Sequence, residues 1–210
     1  MLFPIWLTLS ACATSLPSPD TQVPDRLSCN KRLQPAHHLQ LDRVDDLVSR
    51  DLRFAALAYM ESQPLETQEQ WFRYGRLLAS VGRLDHAERV FDQLVARCDS
   101  PEAYHGLALV QMRQYRLNAA LENLLIARTR LPASAEVRND YGYVLMLDQR
   151  LDEAVHELRT AFELADGEGP ARQNLATAFL TMGDVDGIRW MQADYGLTDQ
   201  ELAYARDRAR

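Results

Sequence analysis

The stretch from Ala135 to Ala165, AEVRNDYGYVLMLDQRLDEAVHELRTAFELA, sets the strongest constraint on what this chain can fold into. It reads as two amphipathic helical segments with a polar break at Asp148–Gln149–Arg150. The first carries Tyr141, Gly142 and Leu145, and the second carries Leu151, Ala154, Leu158 and Ala161. Small residues at Gly142 and Ala154 let two antiparallel helices approach closely, and Tyr141, Leu145 and Leu158 fill the space between them. One such pair cannot cover its own apolar face, so it needs neighbours of the same kind.

The neighbours stand about 34 residues away on either side. From Pro101, Tyr104, Leu107, Ala108, Ala120, Leu124, Ala127 and Pro132 fall on the same positions. From Gly169, Leu175, Ala176, Phe179 and Gly183 match, but Ile188 stands where a small residue is expected. An earlier copy near Gln68 is one residue out of phase and carries Trp71, Tyr74, Gly75, Leu78, Gly82, Ala87 and Phe91. Small residues of an unrelated bundle would not keep step in this way. The pattern resembles the tetratricopeptide repeat. It implies an all-α solenoid of antiparallel helix pairs, about four repeats with capping helices at both ends.

The expected organisation is a lipoprotein signal over 1–11, a lipidated N-terminus and linker over 12–38 and a degenerate helix pair over 39–66. Repeats follow over 67–185, then C-terminal capping helices over 186–210. In the degenerate pair, Leu41, Val44, Leu47 and Val48 form one stripe, and Leu52, Ala55, Ala56 and Tyr59 another. Thr67 with Gln70, and Thr198 with Glu201, fit capping boxes. Ser100–Pro101 and Gly169–Pro170 mark further helix starts. The Thr198 cap predicts a last helix over 199–208, with Leu202 and Ala205 as its apolar stripe.

Charge narrows the function. Lys and Arg total 23 against 30 Asp and Glu, a net charge of −7. That balance argues against non-specific nucleic-acid binding, which needs a basic face, and against a grip on anionic lipid heads. There is no His-Glu-x-x-His, no Cys-x-x-Cys, no glycine-rich phosphate loop and no Gly-x-Ser-x-Gly elbow. The expectation is therefore no catalysis, no metal, no cofactor and no small-molecule substrate. His37 and His38 read as adjacent loop residues. His86, His105 and His156 read as solvated side chains without matched acidic partners, and Asp152–Glu153 as solvated charge.

The N-terminus opens MLFPIWLTLSAC. Its apolar run is too short to span a bilayer and resembles the core of a secretory signal. No Lys or Arg precedes the run and Pro4 interrupts it, as an upstream start codon would explain. Leu9–Ser10–Ala11–Cys12 looks like a bacterial lipobox. That resemblance implies cleavage before Cys12 and lipid on its thiol. With Ala13 rather than Asp behind the cysteine, it implies an outer-membrane anchor facing the periplasm. From Ala13 to about Gln34, prolines 17, 19 and 24 with serines and a threonine read as linker. Two cysteines remain, Cys29 and Cys98; in the periplasm the sequence admits either a disulfide between them or two free thiols.

In the tetratricopeptide family, the first helices of successive pairs line a concave face. Carried onto this chain, that resemblance gives a partner groove of Phe72, Arg76, His105, Leu109, Met112, Arg113, Asn139, Tyr143, Met146, Leu147 and Gln173, with Glu69, Glu102, Glu136 and Thr177 on the same face. Its apolar centre would set Met112 beside Met146, an adaptable strip suited to binding a partner helix. The alternative for these residues is packing of repeat against repeat. The lipobox, the VRNDYGYVLMLDQRLDEAVHELRTAFEL core, RQNLATAFLTMGD and the LTDQELAYARDRAR tail together look like the TadD lipoproteins of tight-adherence (Flp) pilus systems. That resemblance implies a pilotin, with a secretin subunit as protein partner and the membrane reached through lipid. The alternative is a lipoprotein adaptor for peptidoglycan enzymes or other envelope machinery.

Overall fold

A computed structural model describes residues 27–209; Cys12 and the rest of the lipobox lie outside the described residues. Within them the chain forms eleven helices and no strand. These are α1 (Pro35–Ser49), α2 (Arg53–Glu61), α3 (Gln68–Ser80), α4 (Leu84–Cys98), α5 (Pro101–Arg113) and α6 (Leu117–Arg130). They continue with α7 (Ala135–Leu147), α8 (Leu151–Leu164), α9 (Pro170–Met182), α10 (Val185–Tyr195) and α11 (Asp199–Arg208). None of them is long and apolar enough to cross a membrane.

From α1 to α10 each helix packs on the next, α11 packs back on α9, and α3, α5, α7 and α9 also touch one another from pair to pair. Helices α3, α5, α7, α9 and α11 thus make one layer of a solenoid. The local signals explain why the elements begin and end where they do. Thr67, Ser100 and Ser134 accept from the backbone N–H three residues on, so α3, α5 and α7 open with the same cap. The turns inside the pairs repeat as well. Gly82, Tyr115, Gln149 and Gly183 all adopt positive φ, between 60° and 84°. Two of the four are therefore non-glycine residues held in the left-handed region.

The core follows the small-residue pattern. Ala87, Ala108, Ala120, Ala154 and Ala176 are fully buried. A Cβ on Gly142 would come within 2.7 Å of Leu158, so this close helix approach needs glycine. Phe91 stands at the position that Leu124 and Leu158 hold in the next two pairs. Its larger ring is accommodated by Gly106, where a Cβ would sit 2.2 Å from the ring. Ile188 is buried where a small side chain was expected. The close approach there is made one residue earlier, by Gly187 against Phe179.

The N-terminal end differs from the sequence expectation. Helix α1 opens at Pro35, inside the stretch expected as linker, because Gln34 and His37 form a capping box. His37 and His38 are therefore helical, and His37 is buried with its Nε2 3.1 Å from Glu66. Residues 27–34 are tied down. Leu27 is buried, Gln68 N–H donates to the Asn30 carbonyl, and Cys29 is joined to Cys98 by a disulfide across 69 residues. In α1 the stripe is Leu41, Val44 and Leu47, with Val48 exposed. In α2 the buried face is Ala56, Leu57 and Met60 rather than Leu52 and Ala55, which are exposed. At the other end, Thr198 and Glu201 form the expected box and α11 buries Leu202 and Ala205.

Candidate functional site: a concavity between α3 and α5

Six of the residues expected in the groove meet in one concavity of about 200 Å³ between α3 and α5. Phe72 and Arg76 come from α3; His105, Leu109, Met112 and Arg113 come from α5. The 3.6-residue period puts 72 and 76 on one face of α3, and 105, 109 and 112 on the facing side of α5. Phe91 and Gly106 close the floor. Phe72 meets Phe91 edge to face at 5.8 Å, and the Arg76 guanidinium lies 5.8 Å from the Phe72 ring centre. Phe72, Leu109 and Met112 are half-buried, so apolar surface remains open to solvent. Arg113 Nη1 donates to the Ala79 carbonyl at 2.6 Å, which fixes its guanidinium at the rim.

Much of the rest of the expected groove is taken up by contacts within the protein itself. Met146 is buried in the core, so it is not a companion to Met112 on an open strip. Leu147 remains 42% exposed. Tyr143 is covered by Arg208 of α11, whose guanidinium lies 5.7 Å from both the Tyr143 and the Tyr204 rings. The hydrogen bond to Tyr204 holds Arg208 above the usual guanidinium range, burial opposing it and Tyr143 adding to it. Asn139 is buried and accepts from Asn174 at 2.9 Å while donating to Asp140 at 3.0 Å. Gln173 keeps a buried side-chain oxygen with no donor among the described residues.

His105 departs from the expectation of a solvated side chain. It is 5% exposed, and its Nε2 lies 2.7 Å from Asp140 Oδ2 on α7. The partner is 35 residues downstream, one repeat and one residue away, on the first helix of the next pair. Together with Glu136, the pair brings ligand-capable atoms within 4.8 Å of one another. Arg76 stands 3.6 Å from Glu136, and Asn139 binds the other oxygen of Asp140. A guanidinium in that position disfavours a cation, so the group acts as an ion and hydrogen-bond network tying α3, α5, α7 and α9. A second network also has no signal in the sequence. Buried Glu157 bridges Arg128 and Arg138, both at 2.6 Å, joining α6, α7 and α8. His156 and the Asp152–Glu153 pair are exposed, as expected.

A stack of helix pairs with small residues at each crossing and a concave odd-helix face is the architecture of a tetratricopeptide-repeat solenoid. Over 185 residues the chain is 29% identical to the TPR repeat-containing protein PA4299 of Pseudomonas aeruginosa, covering 87% of this chain and 74% of that protein. No family model matches. Among solved structures, the thermophilic TPR protein TTC0263 of Thermus thermophilus superposes with a TM-score of 0.66 at 23% identity, covering 82% of this chain and 97% of that one. MamA from Desulfovibrio magneticus RS-1 does so with 0.57 at 20%, covering 84% and 99%. These likenesses establish the solenoid fold.

Proposed function

We propose that this chain is a non-catalytic scaffold, anchored in the outer membrane by lipid on Cys12, that acts as a pilotin for the secretin of a tight-adherence pilus. The observation that carries the binding half of this reading is the α3–α5 concavity, where Phe72, Leu109 and Met112 stay half-exposed around one hollow. The lipobox and the TadD-like core and tail support the anchoring and the pilus assignment. The Cys29–Cys98 disulfide suits an oxidising compartment such as the periplasm. Lipid would hold the scaffold at the membrane, and the concavity would hold a secretin segment. The high local concentration then favours ring assembly with no bond made or broken.

The test is recovery of secretin from outer membranes on the native protein and on a Leu109→Glu, Met112→Glu variant, with Tyr143→Glu as a third arm. The expected result is secretin on the native and Tyr143→Glu forms and none on the double variant. Peptidoglycan enzymes without secretin would favour the adaptor reading instead. Cys12→Ser should move the protein out of the membrane fraction; unchanged fractionation would sink the anchor.

A further inference from the structure

The concavity between α3 and α5 differs in charge from the rest of the molecule. The chain as a whole carries −7, and two other concavities hold more carboxylates than cations. Asp152, Glu153 and Glu157 line the one between α6 and α8, and Asp42, Asp45, Glu69 and Glu102 the one beside α1. The α3–α5 concavity has no carboxylate in its lining and two arginines, Arg76 on one wall and Arg113 on the other. Both are exposed. Arg113 has no carboxylate partner among the described residues; one of its donors goes to the Ala79 carbonyl, and the rest of its fork has no acceptor among the described residues. Arg76 reaches Glu136 only at 3.6 Å and otherwise stacks on Phe72.

Size selects the apolar part of the ligand. Pockets for drug-sized molecules run ~300–1,000 Å³, so about 200 Å³ suits a single large side chain better than a whole small molecule. Phe72, Phe91, Leu109 and Met112 give that side chain an apolar and polarisable wall.

We propose that this concavity takes an internal segment of a partner protein in which one large apolar side chain fills the slot and an Asp or Glu within four residues of it pairs with Arg76 and Arg113. The apolar anchor sits between α3 and α5, against the Phe72 and Phe91 rings. The carboxylate accepts from the free N–H groups of the Arg113 fork, and Arg76 supplies the second positive charge from the opposite wall. A carboxylate paired in this way is held by charge-assisted hydrogen bonds, and an acidic segment is disfavoured at the two concavities with an excess of carboxylates. This assignment rests on the scaffold reading but not on the secretin.

The test is selection of a random 12-residue library, displayed with its C-terminal end fused so that no free carboxyl terminus is offered, on the immobilised full chain. Enriched sequences should pair Leu, Met or Phe with Asp or Glu within four positions. A synthetic, C-terminally amidated consensus peptide should lose about tenfold in affinity when its acidic residue becomes Lys. The Arg113→Glu protein, altered at an exposed position outside the Arg76–Glu136–Asp140–His105 network, should prefer the Lys peptide. Enrichment without acidic residues, no enrichment, or a preference unchanged by the charge swap would each overturn the assignment. Secretin recovered by a protein that fails this selection removes the acidic anchor and leaves the pilotin. Successful selection with no secretin recovered does the reverse.

Discussion

The two halves of the odd-helix face are built from the same repeat and end up in opposite states. In the N-terminal half, α3 and α5 leave a concavity with half-buried Phe72, Leu109 and Met112 open to solvent. In the C-terminal half, Met146 is in the core, Asn139 and Asn174 are bonded to each other, and Tyr143 lies under Arg208. Two features produce the difference. Gly106, with no side chain, stands where Asp140 and Asn174 follow in the next two pairs, which leaves the α3–α5 floor to Phe91. And α11 sends Arg208 back towards α7, so the chain covers Tyr143 itself while Leu147 at the end of α7 stays exposed. A repeat sequence therefore fixes the stack but not which stretch of its inner face remains free.

The halves are also secured by different chemistry, and the larger break is at the disulfide. Cys29–Cys98 closes a loop of 69 residues that holds the N-terminal segment against α4. In the chain-entropy model a crosslink of that span contributes roughly 2–5 kcal/mol. The Cys29→Ala, Cys98→Ala double variant should lose about that much stability, read from its denaturant midpoint. Amide exchange should rise across α1–α4, with α7–α11 little changed. Uniform loss of protection along the chain would show that the two halves are one cooperative unit and would weaken the contrast drawn above.

How much of this could be read from the sequence follows the range of the interactions. The caps at Thr67, Ser100 and Thr198 and the small residues at Gly142, Ala154 and Ala120 depend on neighbours within one helix pair, and they were legible. So was the α11 stripe of Leu202 and Ala205. The pairing of His105 with Asp140, and the bridge of Glu157 to Arg128 and Arg138, depend on how one pair sits on the next. Residue type and period do not carry that information. The burial of Met146 has the same origin. Its position is equivalent to Met112, and only the packing of α7 against its neighbours separates the two. In α2 the buried stripe lies one residue away from the expected one, because a nine-residue helix gives the period few turns in which to show itself.

The closed half should yield to acid. The bond from Arg172 and the Thr198 cap hold Glu201 down to about pKa 2, against an ordinary value of 4.5. A carboxylate with a depressed folded pKa stabilises the fold fully above its unfolded pKa and loses that contribution as pH falls towards the folded value. The stabilisation of α11 should therefore be intact above about pH 4.5 and be lost between 4.5 and 2. Exchange within α11 should rise in that window. The Glu201→Gln variant should show a weaker α11 at neutral pH, by about 1 kcal/mol for a lost charge-assisted cap, and no further acid-dependent step there. If α11 instead holds its protection down to pH 2, the ion pair is not what closes this half.

The smallest effect concerns the turns, where both halves share one backbone shape but not one residue type. Gly82 and Gly183 supply positive φ without steric cost, whereas Tyr115 and Gln149 adopt φ of 60° and 63° with a Cβ in place. The left-handed region costs a non-glycine residue ~1–2 kcal/mol, and glycine in turn loses about 0.5–1 kcal/mol more conformational freedom on folding. Tyr115 is 90% exposed, so little packing is lost when its ring is removed. The difference leaves Tyr115→Gly more stable by about 0.5–1 kcal/mol, seen as a raised urea midpoint at unchanged slope. The same change at Gly183 run backwards, Gly183→Ala, should lower the midpoint by a similar amount, because its φ of 73° then carries a Cβ. Equal midpoints for all three proteins would mean that the turns contribute no strain. The repeat would then tolerate either residue type there without a cost in stability.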